Sequence, residues 1–173
     1  VKYDEVGGFR EGLCKLVLNG KIGFIDKSTK LVIPMKYEGA YNFSEGLASV
    51  KLNGKWGAID EKGNSIISPK YDWIDDFSES LAAVKINDKY GFINKSGEET
   101  LPSSYDFAGR FSGDYAPVKK DGKAFFIDKK GEQILPFKYD TADNFSEGYA
   151  LVSLNGKAGF IEKYGGEVIT FQY

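Results

Sequence analysis

The stretch Phe43-Ser-Glu-Gly-Leu-Ala-Ser-Val-Lys-Leu-Asn-Gly-Lys-Trp-Gly-Ala-Ile-Asp60 decides the fold. At its centre Asn53-Gly54 separates two segments of strand composition, Leu47–Leu52 and Lys55–Asp60. A two-residue type I′ turn needs positive φ at both central residues, and Asn-Gly supplies it most readily. Such a turn pairs Leu52 with Lys55, Val50 with Gly57 and Ala48 with Ile59. The chain then turns again at Glu61-Lys62-Gly63. A short apolar strand follows at Ile66-Ile67, with Pro69 at its expected end because proline has no N–H for the ladder. The Lys70-Tyr71-Asp72 element after it reads as a fourth, short or edge strand.

The same unit occurs five times. A Phe recurs at Phe9, Phe43, Phe77, Phe111 and Phe145, always 34 residues apart. A Lys keeps the step at Lys21, Lys55, Lys89, Lys123 and Lys157, as does an Ile at Ile25, Ile59, Ile93, Ile127 and Ile161. A Tyr appears at Tyr3, Tyr37, Tyr71, Tyr105, Tyr139 and Tyr173. The hairpin dipeptide returns as Asn19-Gly20, Asp121-Gly122 and Asn155-Gly156, with Asn87-Asp88 as the weak copy. The second turn returns at Lys95-Ser96-Gly97 and Lys129-Lys130-Gly131, and the strand-ending proline at Pro34, Pro102 and Pro136. The Ile column faces a column of small residues, Cys14, Ala48, Ala82, Ala116 and Ala150. The opposite face carries Leu47 and Ala58, with Phe24, Phe92, Phe126 and Phe160 in the other copies. Both faces are partly apolar, so each unit must stack on its neighbours. The expected units are residues 9–42, 43–76, 77–110, 111–144 and 145–173, with residues 1–8 completing the last.

Composition fits this reading. Hydrophobic residues make up 42% and aromatics 15% of 173 residues, with 21 Gly, as short strands and tight turns require. Net charge is −2, with 23 basic and 25 acidic residues interspersed. No basic stripe suits nucleic acid. No apolar run approaches the roughly 18 residues that span a bilayer, and no polybasic amphipathic stretch suits a membrane surface. The single Cys14 excludes an internal disulfide framework without identifying a compartment. The sequence contains no signal peptide. Its opening inside the repeat pattern, at Val1-Lys2-Tyr3-Asp4, is what an excised fragment would show.

Lys55-Trp56-Gly57 with Asp60, set between Phe-Ser-Glu-Gly-Leu-Ala and Lys-Tyr-Asp, resembles the WG (or KWG) repeat of bacterial proteins. The resemblance covers essentially the whole chain. Only one copy has the Trp, its position being Ile22, Tyr90, Ala124 and Ala158 elsewhere; in the fourth copy Phe125 replaces the Gly and Asp114 stands in Ser-Glu-Gly. The resemblance implies a repeat module for binding, with no shared catalytic residues. It also implies a bacterial origin; the sequence assigns no compartment, the cell envelope or secretion being slightly favoured over the cytoplasm.

The expected fold is all-β: five units of three to four short antiparallel strands in a small five-bladed β-propeller, with an open β-hairpin solenoid as the alternative. Five whole periods and the phase of Lys2-Tyr3-Asp4, which would complete the last sheet, favour closure. Against it, 34 residues are few for a four-stranded blade, which usually takes about 40 or more.

The chain has no His, which removes the usual Ser-His-Asp and Cys-His systems and His-based zinc sites. No phosphate loop is present and no cofactor is implied. Cys14 lies in the small-residue column and reads as core. Asp75-Asp76, Asp140 with Asp143, and Glu98-Glu99 could serve a carboxylate-based hydrolase or a Ca²⁺ site, against the plainer reading as solvated loop charge. The column Asp26, Asp60, Asn94, Asp128 and Glu162 precedes the second turn and suits Asx turns. The sequons at Asn42 and Asn144 are set aside because their Phe belongs to the core column.

Recurrent positions are scaffold; individuality lies where the copies differ. The segment after each Tyr-Asp varies most and carries the candidate binding residues Trp73, Tyr41, Phe107, Arg110, Asp75 and Asp76, with aromatic and Arg side chains of the kind that dominate interfaces. The competing reading makes Trp73, Phe107 and Trp56 packing between repeats. The expected function is a non-enzymatic binding or scaffold module for protein partners. A module for glycans or small ligands is the alternative, and a hydrolase the remote one.

Overall fold

The computed structural model describes residues 3–135 and 138–171, and all its regular structure is β, with no helix among those residues. Five antiparallel sheets follow one another along the chain. The first comprises β1 (Glu5–Arg10), β2 (Leu13–Leu18), β3 (Lys21–Asp26) and β4 (Leu31–Tyr37). The second comprises β5 (Gly39–Ala40), β6 (Leu47–Leu52), β7 (Lys55–Asp60) and β8 (Ser65–Tyr71). The third comprises β9 (Trp73–Ile74), β10 (Leu81–Ile86), β11 (Lys89–Asn94) and β12 (Glu99–Tyr105). The fourth has three strands, β13 (Phe107–Ala108), β14 (Ala116–Lys120) and β15 (Lys123–Ile127). The fifth comprises β16 (Thr141–Ala142), β17 (Tyr149–Leu154), β18 (Lys157–Glu162) and β19 (Glu167–Ile169). Strands pair in chain order within each sheet, as in a propeller blade. Thirty-four residues suffice for four strands because the first strand of a typical sheet is only two residues long.

The hairpin turns form as the dipeptides require, with φ of 52° at Asn53 and 77° at Gly54. Asn87-Asp88 makes the same turn without glycine, holding Asp88 at φ 61°. The register matches the expected one, Ala48 opposite Ile59, Val50 opposite Gly57 and Leu52 opposite Lys55. The second turn is an Asx turn: one Asp60 carboxylate oxygen accepts from the N–H of Lys62 at 2.9 Å and of Asn64 at 2.8 Å. Asn94 and Asp128 do the same in their sheets.

The Gly of the Trp-Gly pair has a packing reason. At Gly91 an added Cβ would lie 2.7 Å from the Leu101 carbonyl oxygen and 2.8 Å from the Ser103 nitrogen, because β12 crosses close over β11. The ladder shifts register at that point in the first three sheets. Phe125 occupies this position in the fourth sheet. Among the described residues the edge of β15 is met there by the single bridges Ala124–Tyr139 and Ile127–Gln133 and by the Ile134 N–H, which donates to the Phe126 carbonyl at 3.0 Å.

Three expectations need correction. Pro34, Pro69 and Pro102 do not end the short apolar strands but lie inside β4, β8 and β12, which run on through the Lys-Tyr element. These are edge strands, where a missing N–H breaks no ladder. Sheet boundaries also fall after each Tyr-Asp or Tyr-Glu rather than before each Phe, so residues 39–42 open the second sheet instead of closing the first. The N-terminal segment, finally, belongs to the first sheet: β1 pairs with β2, and the Asp4 N–H donates to the Val17 carbonyl at 2.9 Å. Among the described residues it pairs with no other sheet, and the succession of sheets is propeller-like without being closed into a ring. The expectations for Val1, Lys2, Pro136 and Tyr173 lie outside the described residues.

The core lies between sheets. Leu13, Phe24 and Ile33 of the first sheet receive Phe43, Ala48, Val50 and Ile59 of the second. The same arrangement joins second to third, third to fourth and fourth to fifth. Phe43, Phe77, Phe111 and Phe145 thus plug into the preceding sheet, as Phe43 does edge-on against Phe24 at 5.1 Å. Cys14 is buried, as its column predicts, with Leu16 and Ile25.

Candidate functional site

Pairing of the short first strands sets one row of side chains along the arc. Trp73 lies opposite Lys85, which lies opposite Tyr90. Lys51 lies between Gly39 and Trp56 in the second sheet, and Lys119 between Phe107 and Ala124 in the fourth. Gly39 is glycine for a visible reason: its Cβ would meet the Trp56 ring at 3.1 Å.

Five rings join across three sheets. Tyr41 stacks on Trp56 with centroids 5.1 Å apart and planes at 17°. The Trp73 indole N–H donates to the Tyr41 hydroxyl at 3.1 Å. Trp73 meets Tyr90 edge-on at 6.0 Å, and Tyr90 meets Phe107 at 5.8 Å. Phe107 is 45% exposed, and the other four rings are partly buried. The Lys85 ammonium sits 5.8 Å over the Tyr90 ring and pairs with Asp88 at 2.8 Å.

Beyond Phe107 the row loses its rings, because the next positions are Ala124 and Thr141. A recess of about 340 Å³ opens there, walled by Phe107 and floored by Val118, Ala124 and Ala142, with Lys119 and Asp143 at its rim.

The six expected residues therefore separate into two groups. Tyr41, Trp73 and Phe107 share the aromatic row. Asp75, Asp76 and Arg110 form an ionic cluster between the third and fourth sheets. Arg110 donates to Asp75 Oδ1 at 2.8 Å and lies 3.9 Å from Asp76 Oδ2. The Asp75 carbonyl accepts from Ser49 at 3.1 Å, which ties in the second sheet. Burial raises the Asp76 carboxyl above the usual range, opposed by the Arg110 charge, and its Oδ1 is buried without a hydrogen-bond partner. Arg110 is thus engaged by its own sheets rather than held out to a partner.

Two members of the row, Trp56 and Tyr90, are absent from the sequence-based candidates. They occupy one repeat position, and the cross-strand register places that position beside Lys51 and Lys85, which is the signal that would have found them. The other carboxylates singled out in sequence are largely engaged locally. Asp140 pairs with Lys123 at 2.9 Å, and Glu98 accepts from Asn94 at 2.8 Å.

The model of the WG-containing repeat matches residues 1–21, 22–56, 56–90, 90–123 and 125–157. No curated protein sequence matches this chain. Among solved structures, Hsv2 of Kluyveromyces lactis superposes with a TM-score of 0.60 at 11% identity, covering 92% of this chain and 61% of Hsv2. The dihydro-heme d1 dehydrogenase NirN superposes at 0.57 and 12% identity, covering 95% and 47%. PorZ, a surface component of the type-IX secretion system of Porphyromonas gingivalis, superposes at 0.52 and 10% identity, covering 99% and 26%. This chain spans less than two thirds of the length of each, and at such identities the likeness is one of propeller-like fold alone. Five matched repeats that together span residues 1–157, with only residue 124 between them unmatched, show that it belongs to the WG-repeat family.

Proposed function

We propose that this chain is a non-enzymatic binding or scaffold module and that the aromatic row engages a polypeptide partner. The carrying observation is the chain of rings Trp56, Tyr41, Trp73, Tyr90 and Phe107, part-exposed and interleaved with Lys51, Lys85 and Lys119. Large rings held rigidly by their neighbours give contact area at little entropic cost, which is the chemistry of interface hot spots. Lysines between them suit a segment carrying apolar and acidic side chains.

A protein ligand fits better than a sugar along most of the row. Sugar stacking needs flat, free ring faces, whereas Trp56 has one face against Tyr41, and Trp73 meets Tyr90 at 65°. A glycan or small ligand remains the second reading for the recess beside Phe107, where one ring wall meets Thr141 and Asp143.

Parallel peptide and glycan arrays probed with the native chain and with Phe107→Asp test this. Peptides should be retained by the native chain and bound at least ten-fold more weakly by the variant. Phe107 is exposed, so the variant keeps its fold. Binding of glycans only, or peptide binding indifferent to Phe107, would refute the polypeptide reading.

A further inference from the structure

The junction between sheets is built four times within the chain, and the fifth sheet presents its receiving half uncovered. Tyr149, Phe160 and Ile169 correspond to Leu13, Phe24 and Ile33, the residues that receive Phe43. They are 47%, 39% and 46% exposed, whereas Leu13, Phe24 and Ile33 are buried. Together with Leu151 and Val168 they line a shallow depression of about 520 Å³.

The face is specified by polar groups as well as apolar ones. At three junctions a Ser hydroxyl donates to the carbonyl of the plugging Phe of the next sheet: Ser44 to Phe77 at 2.8 Å, Ser78 to Phe111 at 2.8 Å and Ser112 to Phe145 at 2.7 Å. A Glu carboxylate of one sheet also accepts backbone N–H groups of the next. Glu11 takes those of Glu45 and Gly46 at 2.8 and 2.9 Å, Glu45 takes Ser80 at 2.9 Å, and Glu79 takes Asp114 at 3.1 Å. Ser146 is the next member of the first series, and Glu147 restores the Glu of the second, which Gly113 interrupts at the fourth sheet. They stand beside the depression, and their side chains meet no such partner among the described residues.

What fits is a segment Phe-x-Glu-Gly with a free Phe, and the first sheet carries one. Phe9 is 47% exposed, unlike its four buried counterparts. The turn at Glu11-Gly12 has φ of 47° and 84°, close to the 54° and 83° of the docked Glu45-Gly46. Arg10 opposite Leu13 repeats the pairing of Ser44 with Leu47. The Glu11-Gly12 turn is therefore already in its docked conformation, while Phe9, held in β1 opposite Cys14, has to leave that pairing to insert.

We propose that the fifth sheet of one copy receives the first sheet of a second copy, head to tail. In this junction Phe9 of the second copy plugs against Phe160 and Tyr149, Ser146 donates to the Phe9 carbonyl, and Glu147 accepts the Glu11 and Gly12 N–H groups. Tyr3 and Met35, which pack against Cys14, Leu16 and Ile25 on this side of the first sheet, are the side chains that make room. The contact is heterologous, so each copy keeps one face of each kind for further addition.

Sedimentation velocity over a thousand-fold concentration range tests this with the native chain, Phe9→Glu, Phe160→Glu and Tyr149→Asp. The native chain should shift to higher sedimentation coefficients with concentration, and each variant should associate at least ten-fold more weakly. All three positions are well exposed, and circular dichroism checks that the variants keep the fold. Phe9→Glu retains a receiving face and Phe160→Glu an inserting face, so their mixture should form a one-to-one dimer that cannot extend. A native chain that stays monomeric throughout overturns the proposal. So does self-association of Phe9→Glu equal to the native chain's, which would mean that two fifth sheets meet each other, or a mixture that stays monomeric.

Discussion

Replacing Gly91 with Ala tests the packing reason given for the Gly that follows the Trp56 position of the repeat. The new methyl would sit 2.7 Å from the Leu101 carbonyl oxygen and 2.8 Å from the Ser103 nitrogen, both backbone atoms of β12 that cannot rotate away. Two responses are open to the chain. If β12 stays, the overpacking costs about 1–3 kcal/mol. If β12 lifts, the pairing around Phe92–Leu101 and Ile93–Glu99 is lost, at about 0.5–1.5 kcal/mol per hydrogen bond. Gly91 is not held at positive φ, so Ala gains about 0.4–1 kcal/mol from the less disordered unfolded chain. The net loss is about 1.3 kcal/mol, or a Tm lowered by roughly 3–5 °C for a chain of this size. Differential scanning calorimetry reads the shift, and hydrogen exchange of residues 99–105 locates it. A Tm within about 1 °C of the native value, with unchanged protection in β12, would refute the close-crossing account.

Two further perturbations follow from the turns. Asp88→Gly relieves a left-handed Asp at φ 61° while losing the exposed pair with Lys85, so stability should rise by about 0.5 kcal/mol in a urea titration; a fall would show that the pair outweighs the strain. Hydrogen bonds, in each case with a side chain foremost, hold the carboxyls of Asp26, Asp60, Asp72, Asp106 and Asp140 below their usual value. A depressed folded pKa gives stability that is complete above the unfolded value, about 3.9, and is lost as pH falls through the folded one. Asp76, raised by burial, acts in the opposite sense but alone. With no His in the sequence, Tm should stay nearly flat from pH 7 to about 5 and fall below about 4. A steady decline starting near pH 6 would contradict this.

Legibility followed the range of the interactions. Asn53-Gly54 and its copies fix a two-residue turn, and a turn of known length fixes register, so the facing of Ala48 and Ile59 was readable at a distance of a few residues. The aromatic row was readable only in part. Trp73, Tyr41 and Phe107 stood out because the copies differ there, but Trp56 and Tyr90 join them only through pairing that spans successive strands. Arg110 has the composition of an interface residue, yet its fork is engaged by Asp75 across two sheets.

By itself, then, the sequence determined the 34-residue period, the turns, the strand register and the two apolar faces, because these depend on backbone preference and alternation within one unit. The tertiary structure decided where each sheet begins, how prolines sit inside edge strands, and that the sheets follow a propeller-like course without closing. Those outcomes turn on the angle at which one sheet packs on the next. That angle is set by the fit of Phe43 against Phe24, and of its counterparts, across surfaces a full repeat apart, and no local pattern encodes it.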